Sequence, residues 1–153
     1  MRECRVIVMG ELMLDEYLWG EITRISPEAP VPVMHLRRSD RVLGGAANVA
    51  QNAASLNARV SALGVMGNDA VGSALRAELD SLGVEHEGIL IASARPTTRK
   101  TRRMSIEHNQ QVFRFDEESI TEIPPSQENL KRYAGIAIQD SCLFARANGG
   151  RTA

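Results

Sequence analysis

The stretch Arg5-Val6-Ile7-Val8-Met9, closed by Gly10, constrains the fold more than any other feature. It is short, apolar and β-branched, the pattern of a strand buried on both faces in a parallel sheet. Parallel strands need crossover connections, usually helical, and the rest of the chain supplies them. Gly44-Gly45 breaks an extended segment and opens a helix over 46–56, rich in alanine and other small residues and so able to pack closely on a sheet. A strand follows over 60–65. Asn68-Asp69 is a helix-start signal, and the helix over 70–82 sets Val71, Leu75, Leu79 and Leu82 on one face. Gly83 is its expected stop, and 89–91 is again strand-like.

Between the first strand and the first helix lies material of a different kind. Residues 16–21 are mixed aromatic and polar and read as an exposed strand. Ser26 to Pro32 holds Pro27, Pro30 and Pro32 and must be extended or turning. A further strand covers 33–38. Later, 97–105 and 110–116 read as a hairpin, and Pro124-Pro125-Ser126 precedes a helix over 127–138. The sum is an alternating α/β pattern with a small inserted sheet, without an interdomain linker or repeat.

The totals exclude several functions. At 153 residues the chain is one domain or part of a larger one, and 43% hydrophobic with 24% charged residues is an ordinary globular balance. A net charge of −1 gives no broad electrostatic case for nucleic acid or an anionic membrane. Cys4 and Cys142 make no disulfide framework; Cys4 reads as a small core residue. No stretch reaches the ~20 apolar residues of a membrane span, and residues 1–10 are too short and strand-like for a signal peptide. A cytoplasmic location is expected. His35, His86 and His108 are scattered and form no metal pattern, and no P-loop is present.

Four places could carry chemistry. Gly44-Gly45-Ala46-Ala47-Asn48 can bring backbone close to a ligand at a helix start, with the Asn48 amide both donating to and accepting from hydroxyls; it can equally be a plain turn. Asp15, past the first strand, stands at the carboxyl edge where open α/β sheets bind ligands, or is a solvated loop acid. In Thr97 to Arg103, strand alternation puts Lys100 and Arg102 on one face and Arg99, Thr101 and Arg103 on the other, fit for a phosphorylated substrate or simply solvated. Gln110-Gln111, Arg114 and Asp116 form the last group. Arg114 and Asp116 share a face and can pair with each other or with substrate.

Together these residues resemble the ribokinase-like (PfkB) carbohydrate kinase family. The closest branch is D-glycero-D-manno-heptose 7-phosphate kinase, including the kinase half of bifunctional heptose kinase/adenylyltransferases. The matching pieces are Gly10 to Tyr17, Arg24 to Val33, Gly44 to Ala50, Gly64 to Gly72, Thr97 to Arg102 and Gln110 to Asp116. The resemblance implies a Rossmann-like αβα ribokinase fold, truncated, over 1–138, with a small β lid from about 12–38 and 97–116. It implies that Asp15 binds sugar hydroxyls, that Gly44, Gly45 and Asn48 line the sugar site, and that Lys100, Arg102 and Gln111 stand near the phosphate end.

The implied reaction is ATP-dependent phosphorylation of a sugar, here heptose 7-phosphate to the 1,7-bisphosphate, with ATP and Mg2+ as the family's cofactors. The family's Gly-Asp after the first strand is Gly10-Glu11 here, and Asn57 stands where the family motif closes on Gly or Ser. Residues 139–153 match nothing in the pattern, and the GAGD motif with the catalytic aspartate is not in the sequence. The chain is therefore expected to be a fragment that holds the sugar and is inactive alone. The alternative is a non-catalytic module that binds a sugar phosphate or dimerises through the lid. A sugar phosphate is the expected partner, with a homodimer through the lid and neither nucleic acid nor membrane.

Overall fold

The computed structural model describes residues 5–119 and 143–147. Among the described residues ten elements run in the order β1 (Arg5–Gly10), β2 (Leu12–Ile25), β3 (Pro32–Gly44), α1 (Gly45–Ser55), β4 (Arg59–Met66), α2 (Ala70–Ser81), β5 (Ile89–Ile91), β6 (Thr98–Ser105), β7 (Gln110–Glu117) and β8 (Leu143–Ala147).

The first sheet has the order β5-β4-β1-β8, with β1 parallel to both neighbours and β4 parallel to β5. As the β-branched run predicts, β1 lies inside it, with Val6, Ile7 and Val8 buried. The steps β1–α1–β4 and β4–α2–β5 move in one direction across the sheet, so right-handed crossovers set both helices on the same side. One apolar core joins them there: Val6, Val8 and Ala62 of the sheet, Ala46, Ala47 and Ala50 of α1, Leu75 and Leu79 of α2. Alanine is what allows α1 to sit this close, since a larger side chain would hold it off the strands. The expected helix over 127–138 and the placement of Cys4 lie outside the described residues. Leu143–Ala147, inside the 139–153 segment that matches nothing in the family pattern, pairs in parallel with β1, so the sheet continues past residue 138.

Both helix ends follow their local chemistry. Asp69 caps α2, its Oδ1 accepting from Gly72 N at 2.7 Å. Its Oδ2 accepts from Thr97 N at 2.7 Å, and Thr97 Oγ1 in turn accepts from Gly67 N at 2.9 Å. This knot ties the start of α2 to the segment leading into β6. Gly83, at φ +67°, ends the helix as expected.

The second sheet has the order β3-β2-β6-β7 and is the inserted one. β2 pairs antiparallel with β3 and parallel with β6, and β6 with β7 form the expected hairpin. Its strands are longer than the sequence suggests. β2 and β3 begin and end in the core, where Leu12, Leu14 and Leu43 are buried. The lid is thus a continuation of core strands. The expectation of an exposed strand over 16–21 is corrected: Glu16 and Gly20 are buried and Tyr17, Leu18, Trp19 and Glu21 half-buried. Glu16 is only 6% exposed, because Arg41 Nε lies 3.0 Å from its Oε1 and Arg99 Nη1 3.6 Å from its Oε2. Arg99 also bridges to Glu117. Two guanidinium groups over one carboxylate make that burial tolerable.

Candidate functional site

The register of the lid sheet decides which side chains can meet. Directly paired residues share a face. Asp15 stands opposite Val42 on one side and Lys100 on the other, and Lys100 opposite Asp116. Two residues along, Tyr17, Arg102 and Arg114 form the next row. One face of the lid therefore carries Asp15, Tyr17, Lys100, Arg102, Arg114 and Asp116. Most of these polar positions are ones the alternation in the sequence singles out.

At the root of this face lies the glycine turn. Gly44 is the last residue of β3 and the N-cap of α1, in extended conformation at φ −120°. A methyl group on it would lie 2.6 Å from Asp15 Oδ2, so the carboxylate rests directly on the backbone there. Gly45 has φ +55°, where a side chain is strained, and a methyl on it would meet Glu11 O at 2.5 Å. Ala46 N donates to that same carbonyl at 2.9 Å. α1 has no side-chain cap at its start, leaving its first turn to meet polar oxygens. Asn48, within that turn, is exposed.

Charge on this face is paired throughout. Arg102 Nη1 donates to Asp15 Oδ1 at 2.5 Å, and the Arg102 guanidinium carbon stands 5.2 Å from the centre of the Tyr17 ring. Lys100 Nζ lies 3.5 Å from Asp116 Oδ2 and 3.4 Å from Glu118 Oε2. Arg114 grips Asp116 with two bonds of 2.7 Å. That fork holds the Asp116 carboxyl below its usual range against burial, with Lys100 assisting. The Arg114 guanidinium is correspondingly raised.

The structure brings Asp15, Gly44, Gly45, Lys100 and Arg102 together, with Asn48 one turn into the adjoining helix. Gln111 stands apart. It pairs with Met104, four positions along the strand from Lys100, which is about 13 Å at strand rise. Two further residues enter the site. Tyr17 shelves Arg102; its signal was its place two residues after Asp15, on the same face at strand period. Glu11, the departure from the family's aspartate, accepts from Thr98 Oγ1 at 2.7 Å through Oε1. Its extra methylene thus reaches across to β6 while its carbonyl holds α1. Among the described residues no group of three or more His, Cys, Asp or Glu is arranged for a metal ion. No helix among them is long and apolar enough to cross a membrane.

Several known proteins are similar to this chain. The bifunctional protein HldE of Desulfatibacillum aliphaticivorans is 46% identical over 149 residues, covering 97% of this chain and 30% of that protein. HldE of Helicobacter pylori is 48% identical over 114 residues, 74% of this chain and 24% of that one. The chain thus spans about a quarter to a third of these relatives. Among solved structures, ribokinase of Cryptococcus neoformans in complex with ADP matches with a TM-score of 0.61 at 18% identity, over 94% of this chain and 49% of that one. Arabidopsis thaliana ribokinase with ribose and ATP matches with a TM-score of 0.60 at 21% identity, over 74% and 36%. These two place the α/β core and its lid in the ribokinase fold. The model of the pfkB family of carbohydrate kinases matches residues 5–140, and the chain belongs to that family.

Proposed function

We propose that this chain is the sugar-binding part of an ATP-dependent kinase that phosphorylates heptose 7-phosphate to the 1,7-bisphosphate. The observation that carries the reading is the placement of Asp15. Its carboxylate sits on the Gly44 backbone at the start of α1 and shares a lid face with Lys100 and Arg102. A carboxylate accepts from two vicinal hydroxyls, and the two cations beside it suit a phosphate. Asp15, Gly44, Gly45 and Asn48 hold the sugar; Lys100 and Arg102 face its phosphate, with Gln111 further out on the same side. Phosphoryl transfer depends on positioning and charge stabilisation, and these residues supply the positioning. ATP and Mg2+ belong to the whole enzyme, and no residue of this chain is assigned to them. A cytoplasmic location follows from the nucleotide and sugar phosphate it would use.

The test is a chimera in which residues 5–140 replace the matching part of a bifunctional relative. Heptose 7-phosphate-dependent formation of ADP is the expected result. Turnover of an unrelated sugar alone would sink the heptose assignment.

A second reading, a non-catalytic module that binds a sugar phosphate or dimerises through the lid, is favoured in its dimerising form by one observation. The face opposite Asp15 carries Phe113 and Phe115, 61% and 50% exposed, along with Leu36. Large exposed aromatics on one sheet face suit burial against a second copy. Phe113→Ser with Phe115→Ser would then lower the sedimentation mass from dimer to monomer; a wild-type chain that sediments as a monomer at high concentration ends that reading.

A further inference from the structure

Asp15 is not free to take a sugar hydroxyl with both oxygens. Oδ1 is held by Arg102, and the two side chains are only 17% and 19% exposed. Oδ2 rests against Gly44. The neighbouring cations differ in this respect. Lys100 lies between Asp116 and Glu118, and Arg114 is clamped on Asp116, carboxylates with no place in the sugar contact. Of the three cations, Arg102 is the one whose acceptor, among the described residues, is the sugar-holding acid itself.

We propose that the Arg102–Asp15 pair is a latch that the phosphate of the substrate opens. The inference rests on the sugar-phosphate reading of this site. A phosphate dianion is a stronger partner for a guanidinium than one carboxylate is. When it draws Arg102 away, Asp15 recovers the lone pairs of Oδ1 for hydroxyls. The surroundings favour that exchange. Arg114 stands directly opposite Arg102 across the β6–β7 pair, so an arriving phosphate meets a second guanidinium beside the first. The Tyr17 face gives the moving guanidinium a shelf on which to turn. An unphosphorylated sugar brings nothing to Arg102 and has to compete with it for Asp15. Discrimination then comes from a penalty on the wrong ligand as well as a contact with the right one. The two ends of the substrate are coupled, and the coupling is reciprocal.

The experiment is titration calorimetry on this chain with heptose 7-phosphate and with heptose. Arg102→Ala should weaken the phosphorylated sugar by about tenfold or more, the loss of a charge-assisted contact. It should tighten unphosphorylated heptose by about threefold, the release of one partly buried ion pair. A merely structural role would weaken both ligands, and a simple phosphate contact would leave heptose unchanged; either result overturns the latch. A second measurement needs no variant. Inorganic phosphate added to the wild-type chain should tighten heptose binding, whereas competition or no effect refutes the coupling even if Arg102→Ala fails to fold. A wild-type chain that binds neither sugar removes the sugar-phosphate reading itself, a failure distinct from a chain that binds both without the opposed shifts.

Discussion

Gly44→Ala tests the contact between Asp15 and the glycine turn. At φ −120° and ψ 168° the backbone of Gly44 is one that any residue adopts, so alanine adds no strain in the main chain. What it adds is a methyl group 2.6 Å from Asp15 Oδ2 and 2.8 Å from Met13 Cγ, where ordinary contact begins near 3.4 Å. Met13, only 6% exposed and met at Cγ, has to shift within its packing. Asp15 is held as well, because its other oxygen is pinned by Arg102 at 2.5 Å. The carboxylate must move by roughly half an ångström or more, and an error approaching 1 Å in a positioned group costs up to ~100-fold. Affinity for heptose 7-phosphate should fall by about ten- to a hundredfold, while stability to urea falls by about 1–3 kcal/mol, the cost of overpacking a buried site.

The neighbouring glycine loads the backbone itself and so serves as the control. Gly45 has φ +55°, and its new methyl would meet a backbone carbonyl, Glu11 O, at 2.5 Å. Left-handed geometry costs about 1–2 kcal/mol for an L-residue, and a displaced carbonyl that also accepts from Ala46 N adds to it. Gly45→Ala should destabilise by about 2–4 kcal/mol. Calorimetry for binding and urea melts for stability separate the two. Gly44→Ala binding as tightly as wild type would refute the claim that Asp15 works from the Gly44 backbone.

Three further outcomes are expected. Asp69→Ala removes an N-cap worth about 1 kcal/mol and orphans Thr97 N–H at about 1–3 kcal/mol, so urea melts should show a loss of about 2–4 kcal/mol; a loss under ~0.5 kcal/mol would contradict the knot. Burial raises the Asp69 carboxyl, but donors from Thr97 and Gly72 outweigh it and leave it lowered, and Asp116 is lowered with it by the Arg114 fork. Groups depressed in the folded state stabilise above the unfolded carboxylate value of about 3.9 and lose that contribution as pH falls through their folded values; stability should drop below about pH 4, and less steeply in Asp69→Asn. Leu79→Ala, at a fully buried position of α2, should cost about 2–5 kcal/mol by thermal or urea unfolding.

Much of the fold is legible in the sequence because its signals are local. The run in β1, the alanines of α1, the Asp69 cap and the Gly83 stop each act within a few residues, and each lies where its chemistry predicts. The ends of the lid strands are less legible. β2 runs from Leu12 to Ile25, but Leu12 and Leu14 answer to the core and the residues beyond them to the lid, so no single alternation covers the strand. Glu16 reads as exposed because it is an acid in a polar stretch. Its burial depends on Arg41 and Arg99, which are 25 and 83 residues away in sequence.

The same limit applies to the site. Alternation correctly put Lys100 with Arg102, and Arg114 with Asp116, because a face within one strand needs only that strand's own period. It could not say that β6 lies parallel to β2, in the register that sets Asp15 opposite Lys100 and Tyr17 opposite Arg102. Asp15 and Arg102 are 87 residues apart, and no local spacing joins them. What alternation offers is two separate lists, an acid beside a glycine turn and a strand of cations. Only the pairing of the strands turns them into a carboxylate already held by a guanidinium. That difference is chemical. An acid awaiting a sugar would bind any sugar with well-placed hydroxyls, whereas an acid held by an arginine waits for an anion first.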